Sequence, residues 1–223
     1  MSRKSQIIIS SIIACLIMFV VETYIKPGFV IKSLVKLVVF TSAVLAYVRT
    51  SSKGEVIFRM IDRSNIKYLV ILGFVVYYLL LGGYSVFKDF IDLEKIKQSL
   101  LEKEGVGRHN FIYVTLYISI INSFLEEMFF RGFIFKGLKD LGDAKLAYIF
   151  SSILFALYHI AIMGTWFSPW MLILLILGLV ATGIFFDYMT ERFGSFLAPW
   201  FVHAMANLAI NTVGFFMLDI IHI

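Results

Sequence analysis

The 223 residues include one cysteine, three prolines and few charges, with Asp, Glu, Lys and Arg together making up 16%. The lone Cys15 excludes an intrachain disulfide and any cysteine-built metal centre. It sits inside an apolar run and reads as small hydrophobic filler. A soluble domain carries about 25% charged and about 45–50% apolar residues, whereas apolar residues here reach 60%. That balance excludes a soluble enzyme, a disordered chain and a nucleic-acid module. The patterns His-Glu-x-x-His, Gly-x-Ser-x-Gly and Gly-x-Gly-Asp are all missing. The span that holds Cys15 has no histidine, which argues against thiol catalysis. No internal repeat or low-complexity tract occurs. The net charge of +5 comes from Lys and Arg dispersed over loops, an arrangement suited to anionic headgroups rather than to nucleic acid.

What is present is apolar runs. They predict an all-α polytopic transmembrane bundle of about seven spans, within a range of six to eight at about 20 residues each. The spans expected are 7–25, 29–48, 68–87, 111–135, 146–163, 169–186 and 196–218. Lys32 and Lys36, near the start of the second, are expected to snorkel toward the headgroups. Residues 88–110 balance five basic against five acidic side chains, and Ile91, Leu93, Ile96, Leu100 and Leu101 recur at helical spacing. An amphipathic surface helix and a solvated charged loop both fit that stretch. Residues 136–145 read as a Lys/Asp/Gly loop, and Asp187, Glu191 and Arg192 read as the polar close of the sixth span. The chain divides into N-terminal helices with the charged segment, 1–110, and a core carrying the polar motifs, 111–219. Basic residues concentrate in loops 49–67, 136–145 and 187–194, which places the N-terminus in the cytoplasm. His109 and His222 sit at polar edges and read as incidental.

The fourth span places Glu126, Glu127 and Arg131 within six residues. A charge at mid-bilayer costs about 2.5–3.5 kcal/mol on insertion scales, so the cluster needs a reason. Glu127 and Arg131, four apart, share a helix face and can pair. Glu126 points elsewhere and must find a partner on another helix or in water. His159 lies on the fifth span, one turn after Phe155; His203 and Asn207 share one face of the seventh. With the span limits above, Glu126 and His203 come out about 13 and 10 Å from the inner ends of their helices, but His159 about 20 Å from Leu146. The depths agree only loosely.

One carboxylate, two imidazoles and an amide suit hydrolysis. A carboxylate can take a proton from water, an imidazole can help orient that water, and imidazole or amide N–H groups can donate to an oxyanion. Two histidines with one carboxylate are also a zinc set with an open position for water; the sequence leaves both versions open. Glu126-Glu127-x-x-x-Arg131, Phe155-x-x-x-His159 and His203-x-x-x-Asn207, in this order, resemble the three motifs of the CPBP family. That family comprises CAAX prenyl proteases of the Rce1 type and bacteriocin-processing relatives, also called Abi proteins. The resemblance covers about residues 111–215. It implies an eight-span or similar helical membrane fold, a wet cavity open to the cytoplasm and intramembrane endopeptidase activity. By motif it assigns water activation to Glu126 and His159, the oxyanion site to His203 and Asn207, and structural support to Glu127 and Arg131. If zinc is used, Glu126, His159 and His203 would be its ligands. The partners expected are the lipid bilayer and a membrane-bound peptide or protein substrate, with no nucleic acid. A compact chain without a targeting leader suggests a bacterial plasma membrane. Two other functions compete. One is a non-catalytic member of the same family, acting as a bacteriocin immunity factor or as a regulator of another membrane protein. The other is a proton- or ion-coupled transporter, against which stands the lack of repeat halves.

Overall fold

The computed structural model describes residues 2–50, 59–163 and 166–221. Among these residues there are eight helices and no strand. Seven are long and apolar enough to cross a membrane: α1 (Arg3–Ile25), α2 (Phe29–Arg49), α3 (Arg63–Phe90), α5 (Phe111–Asp140), α6 (Ala144–Met163), α7 (Pro169–Phe193) and α8 (Leu197–Met217). Between α3 and α5 lies the short α4 (Leu93–Ser99). The chain is a multi-pass membrane protein, as its composition predicts. Lys53 of the expected 49–67 loop and the edge residue His222 lie outside the described residues.

Local chemistry sets the helix ends. Asp62 caps α3 by accepting from the Ser64 N–H, and Pro169 opens the first turn of α7, where its missing N–H costs nothing. Lys26 and Gly28, both at positive φ, turn the chain sharply between α1 and α2. Gly194, also at positive φ, ends α7. The expected surface helix is present as α4, prolonged by one wide turn over Leu100–Glu104 and stopped at Gly105. Lys32 does not snorkel freely: its ammonium bridges Glu22 of α1 (2.7 Å) and Glu104 (2.6 Å), tying this segment to the α1–α2 turn.

The expected 136–145 loop is much shorter than its composition suggests. α5 continues through Lys136–Asp140, where a Lys136–Asp140 pair lies along its surface, and the turn is only residues 141–143. α5 thus has 30 residues, more than the roughly 20 a bilayer needs. Two stretches, Tyr117–Asn122 and Met128–Phe135, are widened to i→i+5 hydrogen bonding, and the single normal turn Ser123–Glu127 lies between them. Such widenings recur at functional sites. Every residue from Leu125 to Phe135 is buried. α5 is therefore the core of the bundle. Its charges face protein rather than lipid, which removes most of the insertion cost. Phe40 of α2 stacks flat on Phe129, with centroids 4.0 Å apart. Cys15 packs in the same apolar core.

α6 and α7 approach closely. A Cβ on Gly183 would come within 2.8 Å of the Ser152 Cα. α8 runs antiparallel to α5: Phe215 packs on Phe111, and Phe196 on Phe124. Leu197 accordingly starts beside the middle of α5, not beside its end. These two facts reconcile the depths. Glu126 stands fourteen residues from Asp140 and His159 fifteen from Ala144, about 21 and 22 Å at the helical rise. His203 meets them after two turns because its helix begins deep.

Candidate active site

Glu126 and Glu127 occupy the one normal turn between the two widened stretches of α5 and point to different neighbours. Glu126 is 2% exposed and Glu127 fully buried. The Nε2 atoms of His159 and His203 each lie 3.8 Å from Oε2 of Glu126. The two imidazoles, from α6 and α8, therefore converge on one carboxylate oxygen.

Their other ring nitrogens fix the tautomers. His159 Nδ1 lies 2.8 Å from the Phe155 carbonyl. A carbonyl only accepts, so Nδ1 donates. His203 Nδ1 lies 2.8 Å from Oε1 of Glu127. That oxygen also accepts from Arg131 Nη1 at 3.1 Å, so Glu127 is the ionised member of a buried pair and His203 Nδ1 donates to it. Each ring then presents an Nε2 lone pair to Glu126. Three acceptors face one another at a spacing too long for a direct bond and suited to a bridging proton donor.

Glu127 and Arg131 pair as expected, but the guanidinium does more. It stacks against Phe155, 4.3 Å from the centroid, and its Nη2 donates to the Gly183 carbonyl at 3.3 Å. Its Nε lies 3.3 Å from Oδ1 of Asp187. Asp187 was expected to close the sixth span at its polar end. Instead it is fully buried in α7 and accepts from the hydroxyls of Ser151 and Ser152, each at 3.0 Å. α7 runs on to Phe193, which carries Asp187 into the bundle.

Lys36 is a second correction. It was expected to snorkel, yet it is 7% exposed, and its ammonium contacts Asn122 Oδ1 at 2.7 Å and Glu126 Oε1 at 3.2 Å. The Asn122 amide donates to the same Oε1 at 3.0 Å. Glu126 thus finds its partner on another helix, as its position on α5 required, but that partner is an ammonium from α2. Asn122 and Glu126 are four apart on α5; that spacing was the available signal.

Asn207 lies one turn beyond His203, and its amide donates to the Ile118 carbonyl at 3.2 Å. Asn211, on the same stripe, reaches Ser119 at 3.4 Å. His109 is exposed, in keeping with its reading as an edge residue. Among the described residues, the cations that meet Glu126, Glu127 and Asp187 are Lys36 and Arg131.

The donor set of Glu126, His159 and His203 matches zinc in kind, since a ligating histidine usually anchors its second nitrogen on a carbonyl or carboxylate. Among the described residues, however, no three such side chains already stand in a metal-holding arrangement.

Residues 108–209 match the family model described as Rce1-like, type II CAAX prenyl endopeptidase. The matched segment contains all three motifs and leaves Lys36 outside it. The resemblance read from those motifs is shown for this segment, and the family it matches is one of proteases. No curated protein and no solved structure matches the chain.

Proposed function

We propose that this chain, carrying an Rce1-like protease segment, is an intramembrane endopeptidase that hydrolyses membrane-bound peptides or proteins with Glu126 as the base. The observation that supports it best is the convergence of three acceptors, Glu126 Oε2 and the two Nε2 atoms, from three helices. A water between them transfers one proton to Glu126 and keeps the other, which hydrogen-bonds to His159 Nε2. Its oxygen bonds to the substrate carbonyl carbon while the π pair moves onto the carbonyl oxygen. Collapse of that oxyanion breaks the C–N bond, and Glu126 returns the proton to the leaving amine. His159, anchored at Phe155, orients the water. His203 donates to the oxyanion as an imidazolium whose Nε2 proton comes from solvent before the reaction; Glu127 against Nδ1 stabilises that form. Asn207 offers the remaining amide proton from the next turn.

Zinc is the second reading, favoured by the anchored Nδ1 atoms. Glu126, His159 and His203 would hold it, and it would supply a more acidic water. The Lys36 ammonium on Glu126 favours a third, in which the charges serve packing in a non-catalytic regulator of a partner membrane protein. Comparative peptidomics of membranes expressing wild type, Glu126→Gln or His159→Ala tests the proposal. Products that disappear in both variants, while the proteins still insert, are expected. Wild-type processing by the Glu126→Gln variant would refute it. Elemental analysis with chelation separates the zinc version: stoichiometric zinc lost together with activity supports it, and turnover by metal-free protein excludes it. A bacterial plasma membrane with the N-terminus in the cytoplasm is the proposed location.

A further inference from the structure

Lys36 lies in α2, outside the segment that matches the protease family. A lysine serving only to fill space in a membrane helix turns its ammonium toward the headgroups, and its neighbours Leu37 and Val38 are exposed on the lipid-facing surface. Lys36 instead carries its charge inward. Burying an ammonium is costly unless it is paired and hydrogen-bonded. Its hydrogen-bond partners are Asn122 Oδ1 and Glu126 Oε1, and the ammonium also lies 5.2 Å from the Tyr158 ring centroid. The Asn122 amide closes the triangle by donating to the same carboxylate oxygen. Oε1 of Glu126 is therefore held by two donors, one from each of two helices, while Oε2 is left to the imidazoles.

We infer that Lys36 is a positioning residue for Glu126: with Asn122 it clamps Oε1, fixes the carboxylate plane and reserves Oε2 for the water between His159 and His203. This inference rests on the reading of Glu126 as the base. Without the ammonium only the Asn122 amide holds Oε1, so the carboxylate loses its second anchor and its buried charge loses its cation. A misplacement of about 1 Å in a reacting group can cost about 100-fold in rate, which sets the expected effect.

The test uses the full chain in lipid nanodiscs with a quenched fluorogenic farnesylated CaaX peptide as the probe. Lys36→Met is expected to lower kcat about 100-fold with KM changed by no more than about threefold, the signature of a group acting on the reaction step. Lys36→Arg, which keeps the charge, should recover at least a tenth of wild-type kcat, and Asn122→Ala should show a smaller loss in kcat alone. A thermal double-mutant cycle provides a readout independent of turnover. The drop in Tm from Lys36→Met should change markedly in the Glu126→Gln background, because the pair no longer exists there. An additive cycle, or an unchanged kcat in Lys36→Met, overturns the inference, and Asn122→Ala decides it if Lys36→Met does not fold. Wild-type turnover by Glu126→Gln would instead overturn the base assignment, while the thermal cycle would still report the ion pair.

Discussion

Replacing Asp187 with alanine should destabilise the bundle without touching Glu126, His159 or His203. Its carboxylate is fully buried, faces Arg131 Nε at 3.3 Å and accepts from Ser151 and Ser152. Removing the sole partner of a buried charge costs about 3–5 kcal/mol, but Arg131 keeps Glu127 as a second carboxylate partner at 3.1 Å, so the cost here is that of lost hydrogen-bond and ion contacts rather than of a stranded charge. The guanidinium, enclosed by Phe155 and Phe186, loses the carboxylate facing its Nε and retains the one facing its Nη1. Ser151 keeps a second acceptor in the Phe130 carbonyl, so the serines add less than two full hydrogen bonds. We therefore expect a loss of about 1–3 kcal/mol, measured by denaturant unfolding of the purified protein in mixed micelles. The double variant Arg131→Met with Asp187→Leu removes both charges and leaves the ensemble's net charge as it was. It should lose at least about 2 kcal/mol less than the sum of its two single variants. It should nonetheless be slow in turnover, because Glu127 no longer has Arg131 to hold it against His203. An Asp187→Ala protein within about 0.5 kcal/mol of wild type, or a double variant that is simply additive, would refute the reasoning.

Glu127→Gln should reduce kcat as well as stability, since Glu127 anchors His203 Nδ1; a comparison of kcat with the unfolding midpoint reads both effects. Gly183→Ala should cost about 1–3 kcal/mol, because its Cβ meets the Ser152 backbone at 2.8 Å; the unfolding midpoint reports it. At the start of α6, outside the spans, Lys4 and the Leu146 N–H hold the Asp143 carboxyl below its ordinary value of 3.8. A lowered folded value means that the stabilisation is present above pH 3.8 and is lost as pH falls through the folded value. Amide exchange at Leu146 should therefore lose protection only in that acidic range, and Asp143→Asn should remove this pH dependence.

Hydropathy alone delivered the seven crossings, because each is a long run of apolar side chains and lipid accepts little else. Charge inside those runs was legible as a problem to be solved, and the i, i+4 rule paired Glu127 with Arg131 correctly. Lys36 and Asp187 were misread for a shared reason. Each lies a few residues from a span boundary, where a long or charged side chain ordinarily reaches water. Whether it does so depends on which face of the helix meets its neighbours, and in a helix that is apolar all round no periodicity records that face. The 136–140 segment was missed differently: its lysines and aspartate look like loop composition, but on the last turns of a helix that outruns the bilayer they form a polar collar. The depth of His203 depended on where α8 starts beside α5, which is a tertiary fact with no local signature.

The enclosure of α5 bears on how the protein is made. Its most apolar window has a mean hydropathy of 1.2, against 2.3 for α1 and 2.0 for α2, and it brings two carboxylates and a guanidinium into the bilayer before the aspartate on α7 has been synthesised. The α1–α2 hairpin precedes it and already offers a cation to Glu126. Chain order suits that insertion: the first hairpin supplies Lys36 to the central helix, Glu127 pairs the arginine within that helix, and the aspartate adds its contact two helices later.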